Sequence, residues 1–103
     1  MSDPLARQRQ MVSQFPENEL ARFSLGKALY DRADFSGALT ELTTALARKP
    51  DWMVVQILIG KCEQALGRRD AAKAAFQRAR QLAIEQNHEG PLAEMDQLLS
   101  ELH

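Results

Sequence analysis

Leu25-Gly26-Lys27 returns 34 residues later as Ile59-Gly60-Lys61. The same offset carries Ala38 to Ala72, Leu42 to Phe76 and Ala45 to Ala79, and it carries Phe15-Pro16 to Lys49-Pro50. A fixed period of this size marks stacked helical hairpins, each burying its apolar face only against its neighbours. Such an architecture offers a surface for binding and argues against a catalytic pocket.

The types of the repeated residues agree with this reading. Gly26 and Gly60 fall in mid-helix, where Gly costs about 1 kcal/mol relative to Ala. A cost met twice at the same phase calls for a close helix approach, which a Cβ would prevent. Ala38 and Ala72 then make the matching small surface, Leu42 and Phe76 fill the space further along, and Ala45 and Ala79 admit the next element.

Working outward, the apolar spacing predicts six helices. Ser2-Asp3-Pro4 reads as a start signal, a capping side chain followed by Pro in the first turn of a helix over about 4–14. Phe15-Pro16-Glu17-Asn18 ends it and begins a second, about 18–31, with Leu25, Ala28, Leu29 and Arg32 at helical spacing and Ala21 one turn before them. A tight connection at Ala33-Asp34 leads to a third, about 35–48, whose Ala38, Leu39, Leu42, Ala45 and Leu46 form a wide stripe. Pro50 stops it. The fourth helix is expected over about 52–66, closed by Gly67 as a left-handed residue. Asp70 is expected to cap a fifth, from Ala71 to about Gln86. Asn87-His88-Glu89-Gly90-Pro91 reads as a break before a sixth, about 91–102.

The pattern resembles the tetratricopeptide-repeat family, whose period is also 34 residues. One copy reads Leu25, Gly26, Leu29, Ala33, Phe35, Ala38, Leu42, Ala45, Pro50, and the next Ile59, Gly60, Glu63, Gly67, Arg69, Ala72, Phe76, Ala79, with Ile84 in place of Pro. The resemblance implies an all-α right-handed α-α superhelix, a solenoid of antiparallel helix pairs. It implies one domain over 1–103: a half repeat at 4–16, repeats at 19–52 and 53–86, and a capping helix at 91–102. The half repeat is inferred from Leu5, Val12 and Pro16, which match Leu39, Leu46 and Pro50.

Several positions depart from the family pattern. Arg22 and Gln56 stand where an aromatic is usual, with the bulk moved to Phe23 and Ile57. Ala33 replaces the usual turn Gly, so a left-handed backbone there is strained. Glu63 occupies another aromatic position, and Lys73 and Arg80 replace Leu39 and Leu46. The fifth helix runs past its expected Pro, which implies a different docking route for the last helix.

In the family, the first helices of successive repeats line a concave groove for a peptide or partner helix. Mapped by residue, that face is Leu20, Phe23, Lys27 and Tyr30 on one helix and Val54, Ile57, Lys61 and Gln64 on the next. Spacings of three and four put each set on one helical side. Paired lysines among apolar residues suit a ligand with apolar anchors and a carboxylate. Each residue also has a plainer reading: Phe23 and Ile57 as core, Tyr30 as packing on the turn, the lysines as solvated. The family's clamp for chaperone C-termini is not carried over, because Phe23 and Leu58 stand at two of its places and a third repeat is lacking.

The remaining features bound the function. The 103 residues carry a net charge of −1 with acids and bases interspersed, so bulk-charge binding of nucleic acid is not expected; only the basic fifth helix (Arg68, Arg69, Lys73, Arg78, Arg80) speaks for it. No apolar run approaches the roughly 18 residues of a membrane span. One cysteine, Cys62, matches the small buried position Ala28 and reads as a core thiol; with no secretory pattern at the start, a cytoplasmic location is expected. His88 and His103 belong to no ligand cluster, and no phosphate loop, nucleophile elbow or acid pair is present, so neither a metal, a cofactor nor an enzyme activity is expected. The leading expectation is a non-catalytic protein-interaction module. The alternative is an assembly subunit that self-associates as a homo-oligomer or docks permanently through its terminal helices.

Overall fold

The computed structural model describes residues 3–102, and every regular element among them is helical. The helices are α1 (Ala6–Gln14), α2 (Glu19–Asp31), α3 (Phe35–Arg48), α4 (Met53–Ala65), α5 (Arg69–Glu85) and α6 (Glu89–Glu101). The chain divides into two compact units at Pro50–Asp51, with α1, α2 and α3 in the first and α4, α5 and α6 in the second.

In the first unit α2 packs on both α1 and α3. Its buried side, Ala21, Leu25, Gly26 and Leu29, follows the helical period and meets Ala38, Leu42 and Ala45 of α3, all three fully buried. A Cβ on Gly26 would stand 2.8 Å from Cγ of Leu42. The glycine therefore yields its space first to the bulky Leu42, a close approach of the partner helix beside the fully buried Ala38. Arg22 answers the missing aromatic by an ion pair: its Nη1 donates to Glu41 Oε2 at 2.9 Å across the hairpin.

The second unit has a three-helix core. Met53 and Ile57 of α4, Ala72, Phe76, Ala79, Leu82 and Ala83 of α5, and Met95 and Leu102 at the α6 end form one buried cluster. Leu92, Leu98 and Leu99 pack against it. Gly60 makes room for Phe76 here, since a Cβ would stand 2.5 Å from Cδ1 of the ring. Two ion pairs bind α6 to its neighbours: Lys61 Nζ to Glu94 Oε2 at 3.2 Å, and Arg80 Nε to Asp96 Oδ1 at 2.5 Å.

The turns after α2, α4 and α5 share one hydrogen-bond plan. Asp34 N–H donates to Leu29 O and Ala33 N–H to Tyr30 O; Arg68 donates to Glu63 and Gly67 to Gln64; His88 donates to Ala83 and Asn87 to Ile84. These paired bonds satisfy carbonyls that a helix end leaves open, and they require a left-handed residue. That residue is Ala33 (φ 62°), Gly67 (φ 76°) and Asn87 (φ 58°) in turn. Ala33 is thus held in the strained conformation its position implied.

Each unit also closes a clasp between the entry of its first hairpin helix and the end of the second. Glu17 pairs with Arg48 in the first unit. In the second, Gln86 Nε2 donates to the carbonyl of Asp51, which lies 34 residues after Glu17.

Helix starts differ from expectation in three places. Helix α1 begins at Ala6, so Pro4 lies in the turn before it, where the Asp3 carboxylate accepts from Leu5 N–H at 2.9 Å. That bond, with the Arg9 guanidinium at 3.1 Å, holds the Asp3 carboxyl below its usual range. Ser2 and His103 lie outside the described residues. Helix α5 is entered from Arg68, not capped by Asp70, which sits in its first turn. The reason is the period: Arg68 is the counterpart of Asp34, whose Oδ1 caps α3 by accepting from Gly37 N–H at 3.0 Å. Helix α6 begins at Glu89, so the expected break at Gly90-Pro91 is absent and both lie in its first turn. First-turn N–H groups have no helical partner, so a proline there removes nothing.

Candidate partner-binding face

The four selected residues of α2 fall on its outer side. Asn18 starts this helix by accepting from Leu20 and Ala21 N–H at 2.9 and 3.1 Å, which sets the phase of the whole helix. Leu20 is 64% exposed. Phe23 and Tyr30 are half-buried. Tyr30 meets the ring of Phe35 edge-on, centroids 5.7 Å apart, so it also buttresses the turn into α3. Lys27 is exposed, and its Nζ lies 2.7 and 2.8 Å from the two carboxylate oxygens of Asp31 one turn on.

The counterparts on α4 divide. Val54 is 48% exposed and Gln64 is exposed. Ile57 is buried at 8% and belongs to the core of the second unit, in line with its plainer reading. Lys61 is half-buried and bonded to Glu94 of α6. The carboxylate suited to these lysines is thus already supplied from within: Asp31 for Lys27, Glu94 for Lys61. The Lys27–Asp31 pair is solvent-exposed and the Lys61–Glu94 pair partly so, settings in which an ion pair is worth about 0–1 kcal/mol. Asp31 stands four residues from Lys27 and was legible as a helix pair; Glu94 was not, because its reach depends on how α6 docks.

No family model and no curated protein matches the sequence. Solved structures do match. Protein BPP2914 from Bordetella parapertussis is 29% identical, with a TM-score of 0.84 over 99% of this chain and 89% of that one. The TPR2B domain of yeast Sti1, solved in a complex with pHsp70, is 21% identical, with a TM-score of 0.82 over 92% and 76%. A tetratricopeptide repeat domain protein from Salinibacter ruber is 22% identical, with a TM-score of 0.74 over 85% and 89%. The chain has the tetratricopeptide-repeat fold.

On this tetratricopeptide-repeat scaffold the departures from the usual residues acquire physical roles. Glu63, in an aromatic position, tucks its side chain to 12% exposure and accepts from Arg68 Nη1 at 3.2 Å. Three of the basic residues entering or lying on α5 are engaged: Arg68 with Glu63, Arg69 Nε with the carbonyl of Leu102 at 3.2 Å, and Arg80 with Asp96. That part of the basic helix fastens α6 and the end of α4.

Cys62 is fully buried, and burial, with Glu63 adding a smaller effect, pushes its thiol up to about 11. It is protonated at neutral pH and is not poised as a nucleophile. No group of three or more potential metal ligands occurs among the described residues. No helix among them is long and apolar enough to cross a membrane.

Proposed function

We propose that this chain is a non-catalytic protein-interaction module with a candidate binding face on each unit: Leu20, Phe23, Lys27 and Tyr30 on α2, and Val54, Lys61 and Gln64 on α4. Ile57 backs the α4 face from the core of its own unit. The observation that carries the reading is the repetition of one anomaly. Leu20 and Val54 are 64% and 48% exposed, and they occupy the same position of successive repeats. Each is followed seven residues on by a lysine, Lys27 or Lys61. Aliphatic anchors beside a cation suit a peptide or partner helix that carries apolar side chains and a carboxylate. The affinity comes from preorganisation: helices fixed by the glycine crossings hold the anchors in place, so little ordering entropy is lost on binding.

The complex named for the yeast Sti1 domain supports the class of ligand. It does not carry over the partner, because Phe23 and Leu58 replace two polar clamp positions. On the same reading the location is cytoplasmic, and residues 4–16, 19–52, 53–86 and 91–102 serve as half repeat, two repeats and cap.

The test is a set of random dodecapeptides selected by display on the intact chain and titrated against it by amide chemical shifts. Acidic peptides that shift amides of α2 or of α4 should lose at least about tenfold in affinity on Lys27→Glu with Lys61→Glu, at unchanged helical content. Undiminished binding by that double variant removes the lysines from the mechanism.

A further inference from the structure

We propose that the groove between α1 and α2 is a second docking site, taking a segment of another protein in which one bulky apolar side chain sits beside a carboxylate. The groove has a volume of 330 Å³ and is lined by Arg7, Gln8 and Met11 from α1 and by Leu20, Ala21 and Ser24 from α2. It touches the face described above only through Leu20 and does not depend on the lysines.

Three observations give the occupant its chemistry. Met11 is 43% exposed and Leu20 64%, so the groove presents two large aliphatic side chains to water from opposite walls. Its volume suits one leucine-sized or aromatic anchor and little more. Next, Arg7 is exposed and has no ion pair or hydrogen bond among the described residues. Four other cations of the same unit are engaged: Arg9 with Asp3, Arg22 with Glu41, Lys27 with Asp31 and Arg48 with Glu17. A lone guanidinium at the rim of an apolar groove selects a carboxylate, which it holds bidentately. Finally, the amide oxygen of Gln8 is closed off from water and has no donor. An unmet acceptor is costly, and a turn of this half-exposed side chain toward an N–H offered in the groove relieves it.

The occupant belongs to another protein rather than to a second copy. Of this chain's own acids, Glu94 and Asp96 on α6 are already held by Lys61 and Arg80, and the self-association measurement tests the remaining ones.

The experiment selects dodecapeptides from a random display library on the intact chain and counter-screens them on Arg7→Glu and on Met11→Lys. Both positions are exposed, so helical content should stay that of the wild type, which circular dichroism checks. The expected result is a family of peptides with an aliphatic or aromatic residue near Asp or Glu. Each substitution should weaken that family at least about tenfold, Lys27→Glu with Lys61→Glu should leave it unchanged, and it should shift the amides of Gln8, Met11 and Ser24. A selection yielding no peptide that depends on both Arg7 and Met11 overturns the proposal, even where peptides lost on the lysine double variant support the other face. Self-association of the chain that rises with concentration and is abolished by the same two substitutions also overturns it, since the occupant is then a second copy.

Discussion

At the hairpin crossing of the first unit Gly26 faces Leu42, and at the crossing of the second Gly60 faces Phe76. The turn after α2 is made by a left-handed Ala33, and the one after α4 by Gly67. Asp34 caps its helix through a side chain, while Arg68, its counterpart, has no such bond. Arg22 and Glu41 form an ion pair where Gln56 and Ala75, one period later, are simply buried. The two units therefore hold backbone path and volume constant while the chemistry changes. What the period preserves is room at the crossing and the hydrogen bonds of the turn.

The strongest way to break this comparison is to charge the crossings. Ala38→Arg and Ala72→Arg should each cost more than about 4 kcal/mol in denaturant unfolding, because both sites are fully buried and each change overpacks and strands a charge. A variant that melts with the wild type would show that its hairpin is not closed as described.

A finer separation comes from the glycines. Gly60→Ala should destabilise by about 1–3 kcal/mol, since the new methyl collides with a rigid ring. Gly26→Ala should cost less, because a leucine yields more readily and alanine regains about 1 kcal/mol of helix propensity. Adding Phe76→Leu to Gly60→Ala should recover part of the loss, making the second crossing resemble the first.

The turns offer a reciprocal pair. Ala33→Gly should stabilise, and Gly67→Ala destabilise, by about 1 kcal/mol each. A Cβ at Gly67 meets nothing within 4 Å, so the effect there is purely one of backbone. Equal and opposite shifts in midpoint at an unchanged slope would confirm it; a Gly67→Ala variant as stable as wild type would contradict it.

The smallest contrast concerns Cys62 and its counterpart Ala28. Cys62 is fully buried with its thiol raised from 9.0 to about 11, whereas Ala28 is half-buried. Native Cys62 should label slowly with a thiol reagent at pH 8, and a cysteine introduced by Ala28→Cys, in a Cys62→Ala background, should label faster. The protonated thiol's share of stability is complete below about pH 9 and is lost as pH rises toward 11; Cys62→Ala should remove that loss.

Much of this fold was legible because it rests on spacing. The glycines, Leu42 with Phe76 and the strained Ala33 all derive from one offset. Where composition was read apart from that offset it misled. Asp70 looks like a cap, yet Arg68 holds the cap position; Gly90-Pro91 looks like a break, yet a first helical turn tolerates both. The candidate face was readable to the extent that it lies on single helices, as Leu20 and Lys27 do. Glu94 was hidden because its meeting with Lys61 is set by the docking of α6, and Arg7 and Met11 because the first helix was legible only through its start signal and the match of Leu5, Val12 and Pro16 to the next repeat.

The two clasps carry one more consequence. Glu17 and Arg48 hold the first hairpin by opposite charges in water, while the second is held by a neutral amide on the carbonyl of Asp51. Added electrolyte shields the former and scarcely touches the latter. Ionic strength is therefore a dial that loosens one end of this chain before the other, and hydrogen exchange at rising chloride concentration would register the order in which they let go.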